Sequence, residues 1–384
     1  MPLAVLIVVL LLITGLALIR LGFDSRILAA RTINLVAART AADAGIVRAL
    51  REMNNRFDPD IVWDNTWLPY QSAVTDLDNT NSSYSFKITG NVGTHKITST
   101  GYANTAEKKN VATAVLQTIF DYALMVKKRI VLKSGTTING YNSSDPNDTI
   151  VDLKIGTKSI DPDMIVLNNG VTVNGDVLVG VGGNVETVIK DLGATTGPRY
   201  MLPENVDLDL ITVPNLGASL GNITAASTTI TASGKYNNID IPNSGLMKIV
   251  GKVQMHVTGD LQLKQSAEIR VTPGSSLTLF LDGDLIAGQS NGINNETEIP
   301  GNFMIFGTGK TDQKWEIKNS GDFFGAIYAP NADVILKASG DIYGCILGNS
   351  FELKEGGNVY YDKALRNTGL YKDTGFVIDR WWEE

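Results

Sequence analysis

The sequence predicts an α+β chain that is mostly β: a long N-terminal α-helix, a small antiparallel sheet and then a right-handed parallel β-helix. Three observations predict this class. An uncharged stretch from Leu3 to Ile19 runs into a segment with apolar residues at every third or fourth position. Apolar and polar residues then alternate over residues 82–119. Beyond residue 120, short apolar runs are separated by Gly, Asn and Asp, as in stacked repeats.

The N-terminal segment is predicted to form one continuous helix from Pro2 to Asn54. The opening "MPLAVLIVVLLLITGLALIR" is long enough to cross most of a hydrocarbon core of about 30 Å. A proline is tolerated in the first helical turn, and "NNRFDPD" ends the helix. This domain, residues 1–54, is predicted to be a transmembrane and assembly helix of about 80 Å at about 1.5 Å per residue.

The apolar segment lacks the basic flank and cleavage site of a cleaved secretory signal, so we expect it to stay in the working protein. The arginines that follow it would, by themselves, keep the bulk of the chain in the cytoplasm. A basic leader, removed before Met1, would resolve this conflict, and we expect Met1 to be the processing site.

The second part of the helix is predicted to be amphipathic and basic. Residues 20–56 carry seven Arg against three acidic residues, which gives +4, so the remainder of this chain of net charge −7 carries −11. Two interpretations stay open, a solvated helix face or arginines that meet acidic surfaces of neighbouring subunits. The predicted apolar face comprises Phe23, Ile27, Ala30, Ile33, Ala37, Ala41, Ala44, Val47 and Leu50.

Residues 55–119 are predicted to be loops followed by a small antiparallel sheet that covers the helix. Residues 120–384 are predicted to be a β-helix body with a C-terminal cap. A Gly-Asp signature recurs in the body at Gly175, Gly259, Gly283, Gly321 and Gly340. The intervals between these glycines approximate four, one, two and one units of about twenty residues. An irregular sandwich with coincidental Gly-Asp turns is the alternative.

Side chains predicted to point into the body's core near the end of the chain are Val334, Leu336, Ile342, Ile346, Phe351 and Leu353. The lone Cys345 excludes an intramolecular disulfide and is predicted to be a small core residue. The segment after it, "YYDKALRNTGLYKDTGFVIDRWWEE", is predicted to cap the last coil or to return along the body, because an open sheet edge needs cover.

The composition predicts no enzyme, no cofactor and no metal centre. Two His and one Cys leave no zinc-type cluster, and a pI of about 5.1 argues against nucleic-acid binding. Paired aspartates match turn chemistry or an adventitious calcium site, but none matches the twelve-residue calcium loop. These pairs are Asp58/Asp60, Asp76/Asp78, Asp145/Asp148, Asp161/Asp163 and Asp207/Asp209.

A polysaccharide-processing site on the body is a further possibility considered from the residues. Such a site would gather Lys252, Lys264, Asp260 and Asp284 on adjacent coils. His95 and His256 lie in strand-like alternation and are predicted to be structural. The "FGTGKT" at Phe306 lacks the spacing of a phosphate-binding loop, so nucleotide binding is rejected.

The opening "MPLAVLIVVLLLITGLALI" followed by "AARTAADAGIVRAL" resembles the N-terminal region of type IV pilins and pseudopilins, most closely PilX-like pilus assembly proteins. The segments "GDFFGAIYAPNADVILKASGDIYGCILG" and "YYDKAL" resemble an uncharacterised β-helical domain attached to such stems. The resemblance implies a leader cut by a prepilin peptidase, a methylated Met1 and a homopolymer built by the pilus assembly machinery. Val5 departs from the family, because most major pilins have Glu there to neutralise a neighbouring amine.

The expected function is therefore a structural subunit of an extracellular type IV pilus-like filament. The precursor would sit in the bacterial inner membrane and the assembled subunit at the cell surface, with roles in adhesion among the filament's expected uses. A low-copy minor pilin or tip component, and a membrane-tethered β-helix that binds or cleaves polysaccharide, are the alternatives. The predicted assembly residues are Met1, Leu3, Val5, Leu6, Val9, Leu10, Ile13, Gly15, Leu16, Ile19 and Gly22.

Overall fold

A computed structural model describes residues 2–56, 75–78, 80–91, 94–145, 147, 151–288, 292–338, 340–355, 357–368 and 375–384. The chain forms two compact units. Unit 1 comprises Met1–Gln117 with Thr374–Glu384, and unit 2 comprises Thr118–Asp373. The predicted class is confirmed as a long N-terminal helix followed by a mostly β chain with parallel sheets.

Unit 1 begins with α1, Pro2–Arg56, a single helix of 55 residues. Strands β1 (Thr75–Asp76), β2 (Ser82–Asn91), β3 (Thr94–Ala103) and β4 (Ala106–Gln117) follow as an antiparallel meander. Small residues at helical spacing pack the last third of α1 on this sheet, and they include Ala38, Ala41, Ala42, Gly45 and Ala49. Small side chains allow the two backbones to approach closely, and the buried stripe continues through Ile46 to Met53.

The described part of unit 2 contains one four-residue helix, two 3₁₀ helices and many short strands. The helix is α2, Val185–Val188, and the 3₁₀ helices are Pro300–Asn302 and Lys363–Asn367. The strands are β5 Leu124–Val126, β6 Ile130–Leu132, β7 Thr137–Tyr141, β8 Lys154–Thr157, β9 Ile165–Leu167, β10 Thr172–Val173, β11 Asp176–Val179, β12 Ile189–Asp191, β13 Thr195–Thr196, β14 Arg199–Met201, β15 Ser227–Ile230, β16 Gly234–Tyr236, β17 Ile239–Ile241, β18 Leu246–Ile249, β19 Lys252–Val257, β20 Leu261–Leu263, β21 Glu268–Val271, β22 Ser276–Leu281, β23 Leu285–Ala287, β24 Gly292–Asn295, β25 Phe303–Gly307, β26 Gln313–Asn319, β27 Phe323–Ala338, β28 Ile342–Leu353 and β29 Val359–Asp362.

These strands pair in parallel along three ladders, and most pair with the strand three places away in the chain. In spatial order, ladder one is β16, β19, β22, β25, β27, β28, β5, β8, β11 and β14. Ladder two is β17, β20, β23, β26, β27, β28, β6, β9 and β12. Ladder three has two sections, β15-β18-β21-β24 and β27-β28-β29-β7-β10-β13. We call one passage through the three ladders a coil.

The chain enters this stack in its middle. The coil of β5, β6 and β7 pairs on one side with β8, β9 and β10, which follow it in sequence, and on the other side with β28 and β29, which come near the end of the chain. The coils before residue 202 extend the stack towards one end. The chain then passes to the opposite end and builds coils back towards the entry point. Spatial order in unit 2 is therefore not sequence order.

Residues 202–218, which we call the crossing segment, connect the two ends without regular strands. Leu202 and Leu208 are buried in the same apolar cluster as the coils, and the Tyr328 hydroxyl donates to the Asp209 carbonyl at 2.8 Å. Every residue of β25 is buried, so both faces of this part of ladder one are covered. Double-sided burial explains the continuous apolar runs "SLTLFL" and "FMIFG", since a half-exposed strand would alternate as "LQL" does in β20.

Asx side chains connect successive coils at two corners of the stack. The Oδ1 atoms of Asn222, Asn238, Asp260 and Asp284 each accept the backbone N–H of the matching residue one coil further on, at 2.8–3.1 Å. A second chain of the same kind runs from Asp322 through Asp341 and Asn358 to the N–H of Thr137. These bonds satisfy backbone N–H groups at the point where each strand begins.

The glycine before the aspartate is needed at four of the five Gly-Asp sites, because adjacent coils almost touch there. A Cβ on Gly340 would lie 2.5 Å from the Gly321 carbonyl carbon, whereas a Cβ on Gly321 would meet nothing within 4 Å. We therefore expect Gly340→Ala to lower the free energy of unfolding by about 1–3 kcal/mol, the usual cost of overpacking. Denaturant unfolding of the full chain in detergent measures this effect.

Gly321→Ala is the matched control, because it changes the same Ser-Gly-Asp motif one coil away. We expect it to alter the free energy of unfolding by less than about 0.5 kcal/mol, as for an unobstructed surface site. Equal destabilisation by both substitutions would show that the motif is sensitive for a reason other than coil contact.

The structure corrects the interpretation of the Gly-Asp intervals. Gly175 precedes β11 of ladder one, Gly259 and Gly283 precede strands of ladder two, and Gly321 and Gly340 precede the ladder-three parts of β27 and β28. The interval from Gly259 to Gly283 and the interval from Gly321 to Gly340 each connect adjacent coils at the same ladder. The two longer intervals connect glycines that precede different ladders. The six core residues predicted between Val334 and Leu353 are all buried, as is Cys345.

The structure also places the end of the chain differently from the predicted cap. Strand β30, Gly375–Glu383, pairs antiparallel with β4 and completes the unit 1 sheet in the order β1-β2-β3-β4-β30. Asn54 fastens this strand to α1, because its side-chain amide donates to the Phe376 carbonyl at 3.0 Å and accepts the Phe376 N–H at 2.6 Å. The alternation in "GFVIDRWW" matched a strand, but its partner β4 precedes the whole of unit 2, which local sequence pattern does not encode.

Candidate assembly surface on the N-terminal helix

The first part of α1 exposes apolar side chains on all sides. By length and composition, the helix is long and apolar enough to cross a membrane, and its most apolar stretch is not buried within the chain. The predicted assembly residues that the structure describes with side chains are 50–72% exposed: Leu3, Leu6, Val9, Leu10, Ile13, Leu16 and Ile19. An apolar surface of this size, exposed around a whole helix, needs an apolar environment outside the chain.

Backbone and side-chain polarity are satisfied inside this segment. Thr14 is its polar side chain, and its hydroxyl donates to the carbonyls of Leu10 and Leu11 at 3.0 Å. Threonines in helices commonly make this bond to the preceding turn, which removes the cost of placing a hydroxyl in hydrocarbon. The surface between Leu3 and Ile19 is therefore compatible with lipid or with another apolar helix.

The remaining predicted assembly positions differ in what the structure describes. Met1 lies outside the described residues, and for Val5 the helical backbone is described but the side chain is not. Gly15 and Gly22 lie within the helix, and a Cβ at either would meet nothing within 4 Å. Their small size is thus not required by a contact within this chain.

The face of α1 that packs on the sheet is offset from the predicted one. Of the predicted face, Ala41 is buried and Ala44 and Leu50 pack against the unit 1 core. Phe23, Ile27, Ile33 and Val47 are more than half exposed. The sheet instead covers the alanine stripe, since only small residues permit the close approach at β3. The large apolar side chains before residue 37 therefore extend the exposed surface beyond the length that a membrane covers.

Arg39 and Arg48 on the stem form ion pairs inside the chain. Arg48 contacts Glu52 at 2.9 Å one helical turn away, and Arg39 lies 3.7 Å from Glu383 on β30. These pairs are solvent-exposed, so each contributes little to stability. For Arg39 and Arg48 the interpretation as a solvated helix face therefore fits. A contact with acidic surfaces of neighbouring subunits stays open for the arginines nearer the apolar segment.

His95 on β3 is a buried member of the unit 1 core. Its ring contacts Phe376 edge-on at 5.1 Å, and burial lowers its pKa from 6.5 to about 4. The folded state therefore holds a neutral imidazole that the unfolded chain protonates at higher pH. This agrees with the predicted structural histidine.

Lowering the pH from 7 towards 4 is expected to destabilise unit 1. The unfolded chain gains a proton near pH 6.5 and the folded chain only near pH 4, so stability falls across this window by about 3 kcal/mol in total. His95→Phe should abolish that part of the pH dependence while keeping the contact with Phe376. Unfolding curves at pH 7, 5.5 and 4.5 measure it, and equal slopes for both proteins would contradict the assignment.

The fold brings Asp260 and Asp284 together on adjacent coils, where the Asp260 side chain accepts the Asp284 N–H at 2.9 Å. Asp260 and Asp284 belong to the Asx chain between coils, and Lys264 pairs with Asp240 at 3.1 Å. His256 contacts Asp282 at 3.0 Å. These contacts use the polar groups to hold adjacent coils together.

The predicted aspartate pairs have mixed outcomes. Asp58, Asp60 and Asp148 lie outside the described residues. Asp163 contacts Lys190 at 3.3 Å and Asp207 lies 3.8 Å from Lys158. Among the described residues, no group of three His, Cys, Asp or Glu side chains is arranged to hold a metal ion.

Sequence reasoning missed a cleft of about 550 Å³ in unit 2. It lies where the two sections of ladder three fail to meet, between β24 and the start of β27. The Asn295 side chain spans this gap by donating to the Phe324 carbonyl at 3.2 Å. Glu268, Arg270, Glu298 and Asp322 are among its lining residues, and Phe324 closes one side. No sequence signal marks it, because it results from a missing strand pair.

The Phe324 ring ends a row of stacked aromatic rings. It stacks on Tyr343 at 4.5 Å, and Tyr343 stacks on Tyr360 at 5.0 Å. The strand register places these three residues opposite one another on β27, β28 and β29. The row fixes the orientation of the Phe324 ring at the side of the cleft.

Comparisons with known proteins cover the body and the whole chain differently. The model of a domain of unknown function, DUF7305, matches residues 204–368, which run from the crossing segment to the second 3₁₀ helix. No curated protein matches. Among solved structures, the chain is similar to the competence-associated pilin ComZ from Thermus thermophilus, with 11% sequence identity, a TM-score of 0.30, and coverage of 91% of this chain and 97% of that one. At that TM-score the likeness carries no argument about fold or function.

Proposed function

We propose that this chain is a structural subunit of an extracellular type IV pilus-like filament. The N-terminal helix would hold the precursor in the bacterial inner membrane and then pack against the helices of other copies. The observation that carries the proposal is the exposure of the whole circumference of α1 from Leu3 to Ile19, with the helix continuing unbroken to Arg56. A membrane anchor alone needs about 20 apolar residues, but α1 continues to expose Phe23, Ile27 and Ile33 beyond that length.

The transfer of the helix from the membrane into the filament must be driven by packing between helices. Lipid and a helix bundle are both apolar, so the transfer gains little from the hydrophobic effect itself. Small residues favour close helix contact in such bundles, and Gly15 and Gly22 are unobstructed on the exposed helix. The neutralisation of the N-terminal amine, for which position 5 offers only Val5, would have to come from elsewhere in the assembly.

The outward-facing part of the subunit in this proposal is unit 2, as a β-helix. Support for a β-helix comes from the parallel pairing of most strands with the strand three places away and from the single apolar cluster that runs through the coils. The proposed partners are other copies of the chain, a prepilin peptidase that generates Met1 and the pilus assembly machinery. We favour the polymer over a low-copy tip component, because the exposed apolar surface on α1 extends around the whole helix.

The first test is electron microscopy of material sheared from producing cells, with N-terminal mass spectrometry of the same fraction. We expect filaments whose dominant protein begins at a methylated Met1. Protein confined to the membrane fraction without polymer would reject the polymer and favour a minor component. An N-terminus unrelated to Met1 would reject the processing step.

A second candidate function is saccharide binding by unit 2, which the cleft beside Phe324 specifically favours. An aromatic ring with carboxylates, an arginine and amides nearby supplies a stacking face together with acceptors and donors for hydroxyl groups. Retention of the detergent-solubilised chain on a glycan array, with Phe324→Ala as the control, tests it. Retention that the variant keeps would place any glycan contact outside the cleft.

A further inference from the structure

The two ends of the unit 2 stack are open and similar in construction. At one end, which we call the upper end, the outermost strands are β14 of ladder one, β12 of ladder two and β13 of ladder three, and each pairs only with the coil on its inner side among the described residues. At the other, lower end, Ser219 bridges to ladder one, Ile223 bridges to ladder two and β15 pairs with β18 of ladder three. Each end therefore presents one edge segment for every ladder.

The two ends also have complementary polarity. All pairs in the three ladders are parallel. If the upper end of one copy is placed on the lower end of another, the strands that meet therefore run in the same direction, as they do in two successive coils. Two upper edges brought together would run antiparallel or cross. The stack can therefore be continued by a second copy placed head to tail, whereas it cannot be continued by a two-fold dimer.

The chemistry of the lower end distinguishes it from a protected sheet edge. Natural sheets block exposed edges with charged side chains, proline or a covering segment. Here residues 219–230 form the outermost coil, and they contain no Asp, Glu, Lys, Arg or Pro. Their exposed residues are small or hydroxyl-bearing, such as Thr224, Ser227 and Thr229, and Leu220 is 66% exposed.

The upper end carries charges, but they are paired inside the chain. Lys190 contacts Asp163 at 3.3 Å and Arg199 contacts Asp191 at 2.6 Å. Exposed apolar groups, Leu192 and Met201, lie beside them. Bringing an uncharged edge onto this end therefore leaves these charges with their counter-ions.

We propose that unit 2 associates head to tail with a second copy of this chain, with residues 219–230 of one copy pairing with residues 189–201 of the next. The partner is thus another unit 2, because its end has the same three edge segments, the same strand direction and no charge that opposes those of the upper end. A contact of this type does not close on itself, so it generates an open row of copies. It concerns unit 2 alone and does not require the N-terminal helix to be the filament core.

Disulfide cross-linking of the full chain in its producing cells tests this contact, because Cys345 is buried and leaves introduced cysteines as the reactive thiols. Thr195→Cys on the upper end and Ser227→Cys on the lower end lie on ladder three and are exposed. The double variant is expected to give a series of covalent oligomers of increasing length on mild oxidation. Each single variant should give no dimer, and co-expression of the two single variants should give dimers but no longer species.

Dimers from either single variant would indicate a two-fold contact and overturn the proposal. Adding Thr229→Lys to the double variant should reduce cross-linking at least tenfold, whereas Ile286→Lys, on a mid-stack strand of ladder two, should leave it unchanged. Filaments in the sheared fraction with no cross-linked oligomers would overturn this inference and leave the filament role standing. Cross-linked oligomers without filaments would support this inference and reject the filament role.

Discussion

Replacing Leu10 with aspartate is expected to remove the protein from any sheared filament fraction and to lower its retention in the membrane. Leu10 lies in the middle of the uncharged segment, and its side chain is 55% exposed. An ionised aspartate at the centre of a membrane-spanning helix costs about 3 kcal/mol, which corresponds to more than a hundredfold in an equilibrium constant. The same charge would be unpaired in a bundle of apolar helices.

The effect should be confined to assembly. The leucine, isoleucine and valine side chains described between Leu3 and Ile19 are exposed, so unfolding of the detergent-solubilised variant should match that of the parent chain. Leu10→Met is the control, because it keeps the apolar surface and a residue with good helix propensity. Immunoblots of sheared, membrane and soluble fractions measure the distribution. Filaments of normal yield from Leu10→Asp would mean that the apolar surface of α1 is not the polymer contact. The equivalent change at Val5 is expected to act in the same way.

The second large effect is expected from Gly101→Ala in β3. A Cβ at this position would lie 2.0 Å from the Ala38 carbonyl oxygen and 2.4 Å from the Ala42 nitrogen. Both are backbone atoms of α1, so no side-chain rotation relieves the overlap, and the helix must move away from the sheet. We expect a loss of about 3 kcal/mol or more in the free energy of unfolding of unit 1, at the upper end of overpacking costs.

Two further variants separate this mechanism from a general sensitivity to added methyl groups. Ala38→Gly in the Gly101→Ala background should give no rescue, because the clash is with backbone rather than with the alanine side chain. Gly22→Ala, on the exposed part of the same helix, should be neutral or raise helix stability by up to about 1 kcal/mol. Guanidinium unfolding in detergent gives all of these values. A full rescue by Ala38→Gly would place the clash at the side chain.

The N-terminal helix and the mostly β class followed from the sequence because local periodicity determines them. A run such as Leu3 to Ile19 and an alternating segment such as "YSFKITG" each specify their own conformation. The assembly residues stay a prediction: the sequence identified them by their apolarity, and the structure adds that their described side chains are exposed within this chain. The packed face of α1 was predicted only in part, because the sheet contact depends on the small size of alanine, which a hydrophobic pattern does not weigh.

The features that local pattern could not provide are those that join distant parts of the chain. Tyr360 on β29 pairs with Asn139 on β7, and Phe376 on β30 pairs with Leu116 on β4, so in each case most of unit 2 lies between the partners in the sequence. The Gly-Asp motif was recognised, but its intervals were divided into units of about twenty residues, whereas the motif precedes strands of all three ladders. The cleft beside Phe324 follows from the absence of a strand pair, for which one sequence carries no signal.

The entry of the chain into the middle of the stack has a consequence for biosynthesis. One edge of the coil at residues 124–141 stays uncovered until residues 342–362 pair with it. In the same way, one edge of β4 stays unpaired until β30 is made. Folding therefore depends on contacts of very high sequence separation, which form slowly and leave strand edges open in the meantime. Both units reach their final pairing only after nearly the whole chain has emerged from the ribosome. A chain interrupted before residue 375 would keep an apolar anchor and an unpaired edge on β4, so we expect such fragments to be cleared by proteolysis rather than built into an assembly.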